Sequence, residues 1–411
     1  MPEQKIKYQY SYFIYPFIIP EENYDKYLLK LLKDKHCKLK IFEREKDMHL
    51  YTYFMPRVRD YLFPSFTWNK EKQKQFDEFS INTKALLLAQ KPCTIFEYEL
   101  KKDVQGRVGK EDTIFFTVPK IEIVCFQTGI GFLLMKTIIE GENTLADVLN
   151  FNYKFRDIHA ECSNLKNYEN IHLQSSNFKD RKELSHFIKE ITGNCREAKA
   201  MNLENEKFFT YSYVCLEQEC WNETKPFATL QDDFLKFSYI LPSNTQVTIE
   251  NTEEHILPNL KYAKLGCTKQ GATLLASAIY TENYTKLPFT FENEYLYTYL
   301  LALYKKIYLK KLNYELEKNK NFSEINKTFI EFTQKIWIEE VTDDILGSGL
   351  CKKWEQILEL QDLYMAIKVK YDIVYKERNI EKNNKMAYVL AGILLALFGG
   401  LVINIFTLYF K

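Results

Sequence analysis

The longest apolar run in the chain is at its end. From Met386 to Phe410 no charged residue occurs, and Lys385 and Lys411 bracket the run. About 20 apolar residues cross the hydrocarbon core of a bilayer, so the pattern predicts one C-terminal transmembrane helix over 386–410, with some tilt. Ahead of it lie Lys368, Lys370, Lys376, Arg378, Lys382 and Lys385, and beyond it only Lys411. The positive-inside rule then places the N-terminal mass in the cytoplasm and the chain in the inner (plasma) membrane as a single-pass protein. Within the run Gly392, Ala396 and Gly400 recur every four residues, and Asn404 continues the stripe. Small residues let membrane helices approach closely, and an amide in hydrocarbon needs a partner, so the stripe predicts self-association, with a pore as one outcome. The general abundance of Gly and Ala in membrane helices accounts for the same stripe without association.

Upstream, Ile357, Leu360, Tyr364, Ile367, Tyr371 and Val374 alternate spacings of three and four, a heptad seam whose next two positions are Arg378 and Glu381. Such a seam joins copies that splay or enclose water at the membrane, or it packs against its own chain. Tyr295 to Glu317 is apolar around most of a helix and predicts burial on several sides. Asn321 and Glu324 open a further helix with a stripe of Phe322, Ile325, Phe329, Phe332 and Ile336. Gly347-Ser348-Gly349 is expected to turn the chain back. Residues 291–385 therefore read as a long antiparallel helical stalk.

Residues 1–290 mix both periodicities and predict an α+β cytoplasmic body. Strand patterns cover Tyr8–Ile19, Lys38–Phe42, Thr94–Leu100, Thr113–Val118, Ile121–Phe126, Phe132–Ile139 and Phe208–Leu216, with another near Val247. Those from 94 to 139 read as an antiparallel meander, with turns at 103–109 and 128–131. Helices are predicted over Glu21–Asp34, Leu145–Ile158, Arg181–Thr192 and Ala272–Ile279.

Composition narrows the functional classes. The 411 residues carry 56 basic and 55 acidic side chains, so no net field draws the molecule to nucleic acid, and no direct nucleic-acid binding is expected. Nine scattered cysteines, several within apolar runs, suit buried thiols in a reducing compartment. The start of the chain is polar, without the apolar core of a signal peptide, so the body is expected not to be exported. Six histidines form no metal-ligand spacing, and Gly129-Ile130-Gly131 suits a hairpin turn better than a dinucleotide fingerprint. No nucleophile elbow or phosphate-loop sequence is present, which gives no positive evidence for an enzyme, a resident cofactor or a metal.

The richest cluster is Asn150 to Asp157. Asn152, Tyr153, Arg156 and Asp157 combine an amide, an aromatic ring, a cationic fork and a carboxylate, a set suited to a nucleotide-type ligand: stacking, edge recognition and phosphate. An Arg156–carboxylate pair closing a helix end explains the same residues. Arg57 and Arg59 form a second candidate set.

The order of parts resembles the CorA-like membrane proteins, in particular the shortened ones associated with type III CRISPR defence. The features are an α+β body, the helix holding Tyr297-Thr298-Tyr299-Leu300-Leu301-Ala302-Leu303-Tyr304, a second long helix, and Trp354 to Tyr375 leading to the membrane segment. The resemblance covers the last third best. CorA proteins have two membrane helices and a Gly-Met-Asn signature, whereas this chain has one and only Val402-Ile403-Asn404. The resemblance implies a homo-oligomeric antiviral effector, opened by a nucleotide second messenger, with a divalent cation as a candidate permeant ion. The rival expectations are a tail-anchored cytoplasmic scaffold and a relative of the divalent cation transporters.

Overall fold

The computed structural model describes residues 4–100, 105–108, 114–158, 171–178, 180, 182–193, 207–217, 230–247, 256–257, 260, 262–318 and 322–409. Its body is built on one mixed sheet. In chain order the elements are β1 (Ile6–Ile18), α1 (Tyr24–Lys33), β2 (Cys37–Leu39), α2 (Met48–Tyr53), α3 (Pro56–Leu62), α4 (Lys70–Glu78), α5 (Ile81–Ala89), β3 (Cys93–Tyr98), β4 (Gln105–Val108), β5 (Ile114–Phe126) and β6 (Ile130–Ile139). Then come α6 (Leu145–Phe155), β7 (His172–Gln174), β8 (Lys182–Glu183), α7 (Leu184–Thr192), β9 (Phe209–Leu216), α8 (Gln231–Ser238), β10 (Ile256–Leu257), β11 (Ala263–Thr268) and β12 (Gly271–Ser277). The helices α9 (Leu296–Glu317), α10 (Phe322–Glu331), α11 (Ile345–Ile357) and α12 (Leu360–Tyr409) complete the order.

The strands run β10-β11-β12-β9-β1-β6-β5, after which the sheet forks. β4, β7 and β8 continue from the first half of β5, and β3 and β2 from its second half. Only β9 and β12 pair in parallel among the described strands. The sheet is covered on both faces because its strands alternate two apolar sets. Tyr10, Tyr12 and Ile14 of β1 face one core with Leu50, Val58, Leu300, Tyr304, Trp354, Leu360 and Ile367. Phe13 and Phe17 face the other, with Leu28, Leu149, Phe151, Phe155, Phe187 and Phe234. Helices on both faces of the mixed sheet make the N-terminal part α/β, where the patterning predicted an α+β body.

Several boundaries differ from the sequence reading. Of Ala272–Ile279, expected as a helix, all up to Ser277 lies in strand β12; both faces of this inner strand are buried, so its small and apolar residues show no period of two. The strands expected over Thr113–Val118 and Ile121–Phe126 fall in the single β5, which begins at Ile114, Thr113 lying outside the described residues; its pairing with β6 shifts between Thr117 and Lys120, around Pro119, which has no N–H to donate. Gly347-Ser348-Gly349 lies inside α11, whose N-cap Asp344 accepts from the Gly347 N–H at 2.7 Å. No strand forms at Val247, and the residues that follow it up to 255 lie outside those described. Four helices, α2 to α5, fill residues 48–89; they are too short and too sparsely apolar to announce themselves, α4 burying only Phe76. Helix α6 matches its pattern and starts in a reciprocal capping box between Thr144 and Asp147.

Helix α9 is buried around its circumference, as its pattern requires, but by the sheet: Leu300, Leu303 and Tyr304 belong to the same core as β1, β6 and β9. The apolar core therefore continues across residue 290.

Candidate functional site

The root of α12 is held by aromatic stacking. The Tyr371 ring lies on Phe329 of α10 with centroids 4.4 Å apart, and Tyr364 stacks on Trp337 at 4.8 Å. Tyr371 also donates to the Asn326 side chain, and Lys370 Nζ reaches Asn313 Oδ1 at 2.7 Å and Glu317 Oε1 at 3.0 Å. The seam from Leu360 to Tyr371 is thus satisfied within the chain. Beyond it the helix leaves the body: Ile380 is 60 % exposed and Leu395 75 % exposed. The most apolar stretch of α12 has a mean hydropathy of 2.4 and none of it is buried, so one helix is long and apolar enough to cross a membrane. A Cβ at Gly392 or Gly400 would meet nothing within 4 Å. Asn404 continues the helix, and its side chain lies outside the described residues.

The predicted ligand residues fall into separate places. Asn152 is buried and spends its amide on the interior: Oδ1 accepts from Ser11 Oγ at 2.8 Å, and Nδ2 donates to Ser212 Oγ at 3.1 Å. Tyr153 is half-buried on the same helix. Arg156 ends α6, with Nη1 donating to Gln270 Oε1 at 2.5 Å and its carbonyl accepting from the Phe208 N–H at 2.8 Å. Asp157 pairs with Lys207 at 3.4 Å. Arg57 donates to the Gln334 carbonyl, and Arg59 lies 3.8 Å over the Tyr51 ring while donating to the Tyr51 carbonyl at 3.0 Å. Helix α3, which carries Arg57 and Arg59, packs on one face of the sheet and α6 on the other, so a small ligand does not meet both sets.

The partner of Arg156 leads to a cavity. Gln270, in the β11–β12 turn, lines a space of about 370 Å³ together with Thr268, Lys269, Lys353, Gln356 and Glu359. One wall is that turn and the other is the end of α11. Glu359, which precedes α12, closes it in a left-handed conformation (φ 55°) that a residue with a Cβ rarely adopts. Lys269 Nζ holds Glu359 Oε1 at 2.5 Å, and this bond and its charge keep the Glu359 carboxyl below its ordinary range.

Two further cations come from α9. Its sequence carries the pairs Lys305-Lys306 and Lys310-Lys311 inside an apolar helix. Lys305 and Lys311 are buried and satisfied, the first by the Ile338 carbonyl and Glu355, the second by Glu21 and the Thr128 carbonyl. Lys306 and Lys310 lie a turn apart on another side. Burial lowers the Lys306 ammonium to about 8, Lys310 and Lys269 add to this, and Glu359 opposes it. Lys310 is also lowered by burial. Among the described residues Lys306 makes no ion pair. Lys269 and Lys353 thus line the cavity with Glu359, and Lys306, outside the lining, lies within electrostatic reach of Lys269 and Glu359.

A larger cavity of about 760 Å³ has the opposite sign. It lies between the end of β1, the β5–β6 turn, α9 and α10, where Glu21, Glu22, Glu315, Glu324 and Glu331 outnumber Lys311, Lys327 and Lys335. An anion is repelled there and attracted to the smaller cavity. Among the described residues no group of three or more His, Cys, Asp or Glu side chains is placed to hold a metal ion. The lysine set was missed in sequence because its members span positions 269 to 353; the signal available was the doubled lysines of α9.

No protein-family model, curated protein or solved structure matches the chain.

Proposed function

We propose that the protein is a homo-oligomeric membrane effector. Its cytoplasmic body binds a small nucleotide-type signal, and α12 passes the change to the bilayer, where the associated helices open a pore or disturb the lipid. The defence setting is the one implied by the CorA-like resemblance.

One observation carries the reading. Helix α12 is a single element of 50 residues, packed against α9, α10 and α11 at its start and free along the apolar segment. A shift of its root is therefore transmitted as a rigid movement rather than lost in a linker. A passive anchor needs no such continuity, and a flexible tether would serve a scaffold better.

The test is leakage from sealed liposomes carrying the full chain. Nucleotide signals added on the body side should release a trapped ion, and Asn404→Leu should change the leak without changing signal binding. Liposomes that stay tight to every nucleotide tested, with Asn404→Leu silent, would leave the tail-anchored scaffold as the better account.

A further inference from the structure

We infer that the cavity between the β11–β12 turn and the start of α12 is a binding site for a phosphate-bearing anion, whose entry displaces Glu359 from Lys269 and releases the root of the membrane helix. This rests on the reading of the body as a sensor and names the place and chemistry of its signal.

Three observations converge. The cavity of about 370 Å³ is large enough for a small phosphorylated ligand, and its lysines outnumber its carboxylate. Lys306 is half-buried beside Lys269 with no counter-ion of its own among the described residues, an arrangement that leaves a cation unpaid for until an anion arrives. The Lys269–Glu359 pair is exposed, with side chains 60 % and 54 % accessible, and such pairs contribute little net stability. A phosphate carries more charge than a carboxylate and offers three acceptor oxygens, so it outcompetes Glu359 for Lys269 while also reaching Lys353, the second lysine of the lining. Glu359 stands directly before α12 in a strained backbone conformation, so its release lets the chain relax where the membrane helix begins. Arg156 adds to the site at one remove by orienting Gln270.

The probe is inorganic pyrophosphate, titrated calorimetrically into the full chain in detergent micelles. Lys269→Gln should weaken binding about tenfold, the loss of one charge-assisted contact, and Lys306→Gln severalfold, the loss of a neighbouring positive charge. Glu359→Gln should strengthen it severalfold by removing the competing carboxylate, a gain that misfolding cannot imitate. Lys335→Gln, in the other cavity, should leave it unchanged. Lys306→Met, which keeps the apolar stem, serves if the Gln variant melts early. Unaltered affinity in the lysine variants, or weaker binding in Glu359→Gln, overturns the site. The liposome assay separates this from the effector reading. Nucleotide-triggered leakage that survives Lys269→Gln/Lys306→Gln removes the site and keeps the effector; pyrophosphate binding with the expected variant pattern but no leakage keeps the site and removes the effector.

Discussion

Glu122 of β5 is fully buried, and only its neighbours make that tolerable. Its Oε1 accepts from Lys40 Nζ at 2.5 Å and the Tyr297 hydroxyl at 3.3 Å, with Lys120 Nζ at 3.4 Å. Burial pushes the carboxyl up, but the charges and hydrogen bonds of Lys40 and Lys120 outweigh it and hold the group at about 2. A depressed folded value means stability present above the ordinary carboxylate range and lost as pH falls from about 4.5 towards about 2. Lys40→Met should therefore cost roughly 1–3 kcal/mol at pH 7, because Lys120 is left as the carboxylate's main counter-charge, and the gap to the parent should narrow in acid; urea unfolding at both pH values decides it. Glu294 has the opposite sign. Burial raises its carboxyl to about 7, a backbone hydrogen bond opposes this and Asp344 adds to it. Its Oε2 has no hydrogen-bond partner. The stability it allows is present below the unfolded value and lost as pH rises through about 7. Glu294→Gln should then stabilise the protein by about 2 kcal/mol at pH 8 and by only about 0.5 kcal/mol at pH 5. A pH-independent effect in denaturant titrations would exclude the assignment.

At the scale of elements, the two glycines expected to make a turn sit in one helix and do different work. A Cβ on Gly347 would run into the Tyr53 hydroxyl and Thr342, whereas one on Gly349 would meet nothing within 4 Å. Gly347→Ala should destabilise by roughly 1–3 kcal/mol through overpacking. Gly349→Ala should stabilise by up to about 1 kcal/mol, because alanine loses less entropy in a helix. Paired thermal melts check both, and two equal losses would return the segment to the turn reading. The elements legible in sequence were those with one buried face and a marked start, such as α6 with its capping box. Strand β12 was illegible because burial on both faces erases the alternation that distinguishes a strand from a buried helix.

For the whole molecule, the long apolar helix and the body are joined by geometry. Residues 372–385 are helical and span roughly 20 Å at 1.5 Å per residue, setting the apolar segment off from the body. Leu360 and Ala396, like Tyr364 and Gly400, are about ten helical turns apart and so share one side of α12. The small-residue stripe thus lies on the side that carries the body. Under the proposed association, contact through this stripe would bring the bodies together around the same axis. Ala396→Leu should lower the mass of the detergent-solubilised particle by steric exclusion, as light scattering would show. An unchanged mass would reduce the stripe to ordinary membrane-helix composition.

The sequence by itself determined the long apolar C-terminal helix, the buried character of α9 and the alternating strands of the sheet's centre, because each rests on a period or a length within one stretch of chain. It also presented the heptad seam, but without its partner: Tyr364 and Tyr371 look the same whether they meet another copy or Trp337 and Phe329. Only the tertiary structure decided that the seam is filled from within, that Asn152 is spent on Ser11 and Ser212, and that Arg156 and Arg57 lie on opposite faces. It alone brought Lys269, Lys353 and Glu359 to one cavity, with Lys306 within electrostatic reach. The physical reason is the same each time. Local periodicity says which face of an element avoids water, whereas charge complementarity and cavity shape arise between elements distant in the chain, and nothing local records which of them will meet.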